Sequence, residues 1–315
     1  RAGTPLQELQ TTLAQAGQAL AFEPPHFALG DKQPTVGGMV AAGWSGPARA
    51  SSGAVRDFVL GVEIINGRGE LLRYGGQVMK NVAGYDVSRL MAGSWGTLGV
   101  ITEVSLKVLP VAPAQATLVF AMDEAQALEA LNRWGGQPLP LYGSQTGNAR
   151  REAEKIAASA EAAGLSVRLA RTDAYPTREL GGERLPDDQA AALWHSLREQ
   201  QHPWFAQRSD TDALWRLSLP QTAAPLALPE GLAAPLIEWH GAQRWVQAPR
   251  SMASAITAAA QAAGGSATIF RAERADQLSN WPIFNPQSAT LQAVHAQLKK
   301  AFDPHGLLNP GRTGL

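Results

Sequence analysis

The 315-residue sequence contains no cysteine. Disulfide bonds, thiolate catalysis and iron–sulfur ligation by this chain are therefore excluded, and any iron–sulfur cluster must belong to a partner. No apolar run approaches the ~20 residues that a membrane-spanning helix needs, and the first residues do not resemble an export signal. We expect a soluble, intracellular protein.

An excess of charge of either sign is also missing. Lysine and arginine together number 27, as do aspartate and glutamate, and the isoelectric point is near 7.2. This balance provides no field that attracts nucleic acid or an anionic membrane surface, so we predict neither as a partner. The six histidines are scattered without a pair at metal-ligand spacing. We therefore predict no metal site, and the catalytic base remains unknown.

Hydrophobic residues make up 45% of the chain, enough for two domains. Prolines at 110 and 113 end a strand pattern and indicate a boundary near residues 110–115. Apolar spacing and turn residues predict helices over residues 5–17, 123–134, 251–263 and 291–302. They predict strands over 55–65, 71–74, 98–109, 214–219 and 267–271, with a hairpin turn at 66–69.

Two glycine-rich runs stand out in the first domain. One spans Gly37 to Gly46, and the other spans Gly93 to Gly99 directly before a strand pattern. Without a Cβ atom, glycine can adopt positive φ and turn several N–H groups toward one anion. The runs favour a bound dinucleotide whose diphosphate lies against the backbone. A glycine-rich β corner without a ligand is the alternative.

Both runs belong to a longer pattern that resembles the vanillyl-alcohol-oxidase (PCMH) type of FAD-binding protein and, within it, the FAD-binding E subunits of bacterial glycolate oxidase. The matching segments are 2–6, 23–26, 35–41, 80–86, 194–201 and 303–312. The resemblance implies an α+β fold, with an FAD-binding domain in residues 1–112, an α+β cap domain in 113–300, and a return to the first domain in 301–315. It also implies that a further glycine turn precedes Arg1, so we expect the FAD-binding domain to be incomplete here.

The same resemblance implies which residues contact FAD. They lie in the two glycine runs, in the 80–86 segment and near the C-terminus. The implied cofactor-binding residues are Thr35, Val36, Gly37, Gly38, Ala41, Gly43, Ser45, Gly46, Gly53, Asn81, Gly84, Tyr85, Gly99, Val100, Ile101 and Asn309.

Residues 139–180 follow a different pattern. A strand pattern leads into a loop of hydroxyl, amide and glycine residues, and a helical pattern follows. This segment resembles the first βαβ unit of a flavodoxin, which we expect as an insertion in the cap domain. A helix N-terminus there could bind the phosphate of FMN; a chance phosphate site and a purely structural unit are the alternatives. The loop residues are Ser144, Gln145, Thr146, Gly147 and Asn148.

Arg244 is the candidate substrate-binding residue, because it lies between two tryptophans where its guanidinium could hold a carboxylate. A packed β segment is the alternative. Several of the nine tryptophans could instead form a surface for another subunit.

The resemblance implies an FAD-dependent oxidoreductase subunit that transfers electrons in a glycolate oxidase, a D-2-hydroxyacid dehydrogenase complex converting glycolate to glyoxylate. Its implied partners are a catalytic D-type flavoprotein and an iron–sulfur F-type protein. We expect the protein in the cytoplasm, and we expect it to reach the inner membrane only through these partners. A non-catalytic scaffold with an empty flavin cleft and an FMN-binding flavodoxin-like module are the alternatives.

Overall fold

The computed structural model describes residues 1–27, 31–76, 85–112, 114–135, 141–146, 164–171, 182–272 and 288–312. The chain divides into two compact units. The first consists of Arg1–Val111 and Pro286–Leu315, and the second of Ala112–Asn285. The first unit is therefore discontinuous in sequence, since the second unit is inserted between its two parts.

The described helices are α1 Leu6–Gln15, α2 Val36–Ala42, α3 Arg49–Ser52, α4 Val55–Phe58, α5 Val87–Leu90, α6 Glu124–Gly135, α7 Asp187–Arg198, α8 Pro203–Ala206, α9 Ala253–Ala262 and α10 Ala289–Phe302. The described strands are β1 Gln18–Ala19, β2 Val59–Ile65, β3 Leu71–Gly75, β4 Val100–Leu106, β5 Leu109–Pro110, β6 Ala114–Ala121, β7 Leu141–Thr146, β8 Gly164–Arg171, β9 Glu183–Arg184, β10 Ala213–Ser218, β11 Leu236–Glu238, β12 Gln243–Ala248 and β13 Ser266–Arg271.

In the first unit, an antiparallel sheet of three strands has the order β3-β2-β4. The predicted hairpin is confirmed: the side-chain oxygen of Asn66 accepts the N–H groups of Arg68 and Glu70, and Gly69 takes the left-handed φ of +77°. The strand predicted from residue 55 begins only at Val59, because residues 55–58 form the helical turn α4. A carboxylate oxygen of Asp57 accepts the N–H of Ala54 at 2.9 Å and stabilises that turn.

The core of the first unit joins both parts of its sequence. Leu6, Val40 and Ile64 are fully buried in one cluster, and Leu298 and Phe302 of α10 pack against it. The helix predicted over residues 291–302 thus packs its apolar residues against this core.

In the second unit, eight strands form one antiparallel sheet in the order β13-β10-β12-β11-β7-β8-β6-β9. Two apolar clusters lie in this unit. Leu118 and Phe120 of β6 are buried in one cluster with residues of α6, and Ile256 and Ala260 of α9 are buried in the other with residues of β10, β12 and β13.

The flavodoxin-like interpretation of residues 139–180 is wrong. A βαβ unit needs parallel strands, whereas β7 and β8 are neighbours that pair antiparallel, with Leu141 opposite Leu169. The other edge of β7 pairs antiparallel with β11. Residues 147–163 and 172–181 lie outside the described part of the chain. The two described strands of this segment therefore belong to the same antiparallel sheet as their neighbours.

Candidate functional site

Two adjoining pockets lie in the first unit. The aromatic pocket, of about 420 Å³, has Phe27, Trp44 and Trp95 in its walls. The glycine pocket, of about 430 Å³, is lined by small and aliphatic residues that include Gly3 and Gly99. Thr35, Gly38, Ala41, Gly96 and Asn309 line both. Both volumes lie within the range of small-molecule sites, roughly 300–1,000 Å³.

Helix α2 forms the shared wall. Val36 and Val40 are buried in the core of the unit and line neither pocket. The helix therefore turns its small residues Gly38 and Ala41, three positions apart, toward the pockets. Thr35 caps the helix: its hydroxyl oxygen accepts the N–H of Gly38 at 3.1 Å. Small residues on this face leave room for a ligand.

The N–H groups at the start of α2 are not available to a ligand. Val36 donates to the carbonyl of Thr4 at 3.0 Å, and Gly37 donates to that of Ala2 at 2.7 Å. Gly38 donates to its N-cap, as described above. The glycine-run prediction placed backbone donors for a diphosphate at residues 35–38 and 41–45. It is wrong for Val36, Gly37 and Gly38, because protein oxygens already accept from their N–H groups.

Several of the predicted glycines are needed for close packing. A Cβ atom on Gly37 would lie 2.7 Å from that of Ala2, and one on Gly99 would lie 2.9 Å from the Cδ1 of Ile64. Gly43 ends α2 with φ +70°, and a Cβ there would lie 3.0 Å from the Cα of Gly93. Both glycine runs thus bring neighbouring backbones together.

Gly3 differs from these glycines. It lines the glycine pocket, and a Cβ built on it would meet no atom within 4 Å. Within the described residues its N–H has no acceptor. Gly3 therefore offers a free backbone donor to a ligand.

A strained loop carries Trp95 into the aromatic pocket. Its φ is +54°, a left-handed conformation that a bulky residue rarely adopts. Three contacts hold it: the N–H of Trp95 donates to the carbonyl of Ala41 at 2.8 Å, its carbonyl accepts from the side-chain amide of Asn309 at 2.8 Å, and its ring lies edge-on to that of Trp44. Local strain that surrounding contacts over-determine is typical of functional sites.

A buried ion pair fixes the C-terminal segment beside this loop. Lys299 donates to Asp303 at 2.6 Å, to the carbonyl of Leu308 at 2.6 Å and to the carbonyl of Thr97 at 2.8 Å. Asp303 is 2% exposed and also accepts the N–H groups of Leu307 and Leu308. Burial raises the pKa of Asp303, but the bonds from Lys299 and the two N–H groups outweigh it and lower the pKa below its usual range.

The structure brings together about half of the predicted cofactor-binding residues. Those that line one or both pockets are Thr35, Gly37, Gly38, Ala41, Gly99, Val100, Ile101 and Asn309. Val36 is buried in the core. Gly43, Ser45, Gly46 and Gly53 line neither pocket.

The residues outside the two pockets have identifiable roles or positions. The hydroxyl of Ser45 accepts the N–H of Val55 at 3.0 Å, and Gly46 packs against the backbone of Glu23. Gly53 ends α3 with φ +100°. Tyr85 is 98% exposed, and the predicted contacts Asn81 and Gly84 lie outside the described residues.

Arg244 does not form the predicted substrate site. Its side chain is fully buried on β12, where the guanidinium donates to the carbonyls of Ala223 and Ala224 and lies 3.5 Å from the carboxylate of Glu124. Burial lowers the pKa of Arg244 and raises that of Glu124, and each charge counteracts the shift of the other. With its donors used by protein oxygens, Arg244 holds the 220–224 segment in place.

The predicted FMN phosphate loop is also corrected. Residues 144–146 lie inside β7, where Gln145 is opposite Leu165 of β8 and Ile237 of β11. Because β7 has ladder partners on both sides, its backbone N–H groups are directed toward neighbouring strands rather than a phosphate. Gly147 and Asn148 lie outside the described residues.

Sequence reasoning missed several pocket residues. Phe27, Trp44, Trp95 and Arg312 line the aromatic pocket. Trp95 lies inside the second glycine run, and Arg312 lies inside the C-terminal matching segment. A bulky or charged residue within a run of small residues was the signal that could have found them.

Two absences are limited to the described ranges. No helix there is long and apolar enough to cross a bilayer. The described side chains also include no group of three or more histidine, aspartate or glutamate residues placed to hold a metal ion.

Comparisons with known proteins identify the family of the chain. Residues 1–75 match a family described as an FAD binding domain. The chain is 44% identical to the glycolate oxidase subunit GlcE of Escherichia coli (strain K12) over 313 residues, which cover 99% of this chain and 80% of that protein. A shorter match, 38% identical over 93 residues, covers 30% of this chain and 20% of the glycolate oxidase subunit GlcD of Bacillus subtilis (strain 168).

A solved structure of alkyldihydroxyacetonephosphate synthase shares the fold. The TM-score is 0.61 at 16% identity, and the match covers 96% of this chain and 62% of that one. At this identity the likeness concerns architecture alone.

Proposed function

Because the chain belongs to the family of glycolate oxidase GlcE subunits, we propose that the two adjoining pockets of its first unit bind FAD for electron transfer within a glycolate oxidase complex. The observation that carries the proposal is the pairing of an aromatic pocket with a glycine-lined one across a shared wall. FAD combines a planar ring system with a narrow diphosphate chain.

The residues present fit such a ligand. Phe27, Trp44 and Trp95 give one pocket the aromatic lining that suits a planar ring. The small residues of the glycine pocket allow a chain to approach the backbone closely, and Gly3 has a free N–H for a phosphate oxygen. When bound, FAD supplies the acceptor for the electrons removed from a 2-hydroxy acid.

We assign distinct roles to the predicted site residues. The predicted residues that line the pockets contact FAD, namely Thr35, Gly37, Gly38, Ala41, Gly99, Val100, Ile101 and Asn309. The others hold the walls: Gly43 and Gly46 allow the loops to approach. Asn81, Gly84 and Tyr85 remain predicted ring contacts.

Substrate oxidation is assigned to a partner. The histidines of this chain offer no candidate base, and Arg244 is committed to packing, so the protein's own residues bind and position the cofactor. We propose that glycolate is oxidised to glyoxylate on a D-type flavoprotein subunit and that electrons leave through an iron–sulfur F-type subunit. These partners would also account for any association with the inner membrane.

The test is the identity of the bound flavin. The purified chain should release FAD, about one per chain, on heating, as identified by chromatography. Ala41→Phe fills the wall shared by both pockets and should abolish FAD binding, as should Gly38→Trp. Ala14→Phe, on the exposed face of α1, is the matched control and should retain FAD.

Circular dichroism of each variant should match that of the wild type. Full FAD retention in a folded Ala41→Phe variant would show that the cofactor binds elsewhere. Release of FMN instead of FAD from the wild type would contradict the assigned cofactor.

A further inference from the structure

Bound FAD, on which this inference rests, brings two negative charges on its diphosphate into the pockets. The sequence predicts that backbone N–H groups of α2 bind these two charges. In the structure those of Val36, Gly37 and Gly38 already donate to protein oxygens. The free N–H of Gly3 is uncharged, so the diphosphate still needs a cationic partner.

We propose that Arg312 is this partner and forms a charge-assisted contact with the diphosphate of FAD. Among the described residues that line either pocket, it is the one charged side chain. No carboxylate among the described residues lies within ion-pair distance of it. Its guanidinium presents a planar set of donors suited to phosphate oxygens.

Arg312 is exposed to solvent, and its side chain lines the aromatic pocket beside Trp95. Its guanidinium carbon lies 5.1 Å from the centre of the Trp95 ring, within the range of a cation–π contact. Trp95 is fixed in turn by the carbonyl of Ala41 and by the side chain of Asn309, and Asn309 lines both pockets. Arg312 thus contacts Trp95, and Trp95 is bonded to a residue that lines both pockets.

The ion pair of Lys299 and Asp303 positions this assembly. It anchors Leu307 and Leu308 directly before Asn309. Lys299 also holds the carbonyl of Thr97, two residues after Trp95. One buried pair thus fixes the segment that leads to Arg312 and the segment that carries Trp95.

The experiment compares FAD with riboflavin, which has the same ring system and no phosphate. Flavin is removed from the full chain, and the binding of each compound is followed by flavin fluorescence. Arg312→Gln should weaken FAD binding about 10- to 100-fold, the range expected for a hydrogen bond to a charged group, and should leave riboflavin binding unchanged. Arg312→Lys, which keeps the charge, should recover part of the loss.

Two further measurements separate this role from others. The FAD affinity of the wild type should fall more steeply with salt than that of Arg312→Gln. Arg56→Gln removes one exposed arginine that lines neither pocket and should behave like the wild type.

Equal losses for FAD and riboflavin would overturn the proposal, since Arg312 would then support the ring. An unchanged FAD affinity would overturn it as well. If the wild type bound no FAD at all, the proposed function itself would fail, and this outcome is distinct from both.

Discussion

Replacing Lys299 by methionine removes the cation beneath the C-terminal segment and keeps much of the side-chain volume. Three acceptors lose the ammonium group as their donor: the carboxylate of Asp303 and the carbonyls of Thr97 and Leu308. The Asp303 side chain is fully buried, and that of Lys299 is 14% exposed. Removing one partner of a buried ion pair costs about 3–5 kcal/mol, because the remaining charge is left in the interior.

We therefore expect Lys299→Met to lower the free energy of unfolding of the first unit by about 3 kcal/mol, measured by urea titration with tryptophan fluorescence. Lys300→Met changes the exposed neighbour on the same helix and should stay within about 0.5 kcal/mol of the wild type. Asp303→Asn should be destabilised similarly to Lys299→Met. The double variant should fall short of the sum by about 2 kcal/mol, since either change alone breaks the same pair.

The pH dependence gives a second check. Because the folded pKa of Asp303 is lowered from its unfolded value of about 3.9, the pair stabilises the protein fully above that pH and loses its effect in stronger acid. The difference between wild type and Lys299→Met should shrink as the pH falls below about 3.9. Additive single effects, or a difference that does not depend on pH, would refute this account of the pair.

Three other changes test the remaining corrections. Arg244→Met should lower stability by about 3–5 kcal/mol in urea titrations while FAD per folded chain stays constant; a raised KM with unchanged stability would instead support the substrate role. Gly43→Ala should cost about 1–3 kcal/mol more than Gly17→Ala in the same titrations, because both glycines have positive φ but only Gly43 has backbone within 4 Å of the added Cβ. Burial raises the pKa of Glu238 despite hydrogen bonds from two side chains, so wild-type stability should fall as the pH rises above about 4.3. Glu238→Gln should remove this pH dependence in urea titrations from pH 4 to 8. If the dependence persists in the variant, it belongs to another group.

The local elements of the fold follow closely from the sequence. Asn66 and Gly69 predict a hairpin by their turn chemistry, and the structure uses both for that purpose. The apolar spacing of residues 291–302 predicts a helix, which is observed at Ala289–Phe302. These signals are short-range, so neighbouring residues alone specify them.

Features that depend on distant contacts could not be derived in the same way. The sequence of this segment predicts a strand before the loop, but the antiparallel pairing of β7 depends on partners elsewhere in the sheet. The residue type of Gly37 indicates close approach, but only the position of Ala2 shows that the approaching group is protein. The burial of Arg244 likewise depends on a segment some twenty residues away.

The choice of FAD as the cofactor came from the family resemblance. The residues alone indicated only where a ligand would bind. Glycine runs locate the pocket region. They do not reveal which N–H groups are already bonded, because the acceptors of Val36 and Gly37 come from Thr4 and Ala2, some thirty residues earlier in the chain.

The discontinuity of the first unit has a consequence for biosynthesis. The core formed by α1, α2 and β2 lacks Leu298 and Phe302 until α10 has been translated. By then the ribosome has already released all eight described strands of the inserted unit. The inserted unit can mature first, whereas the nascent N-terminal part waits for its last packing partners and is the part in need of chaperone protection during translation.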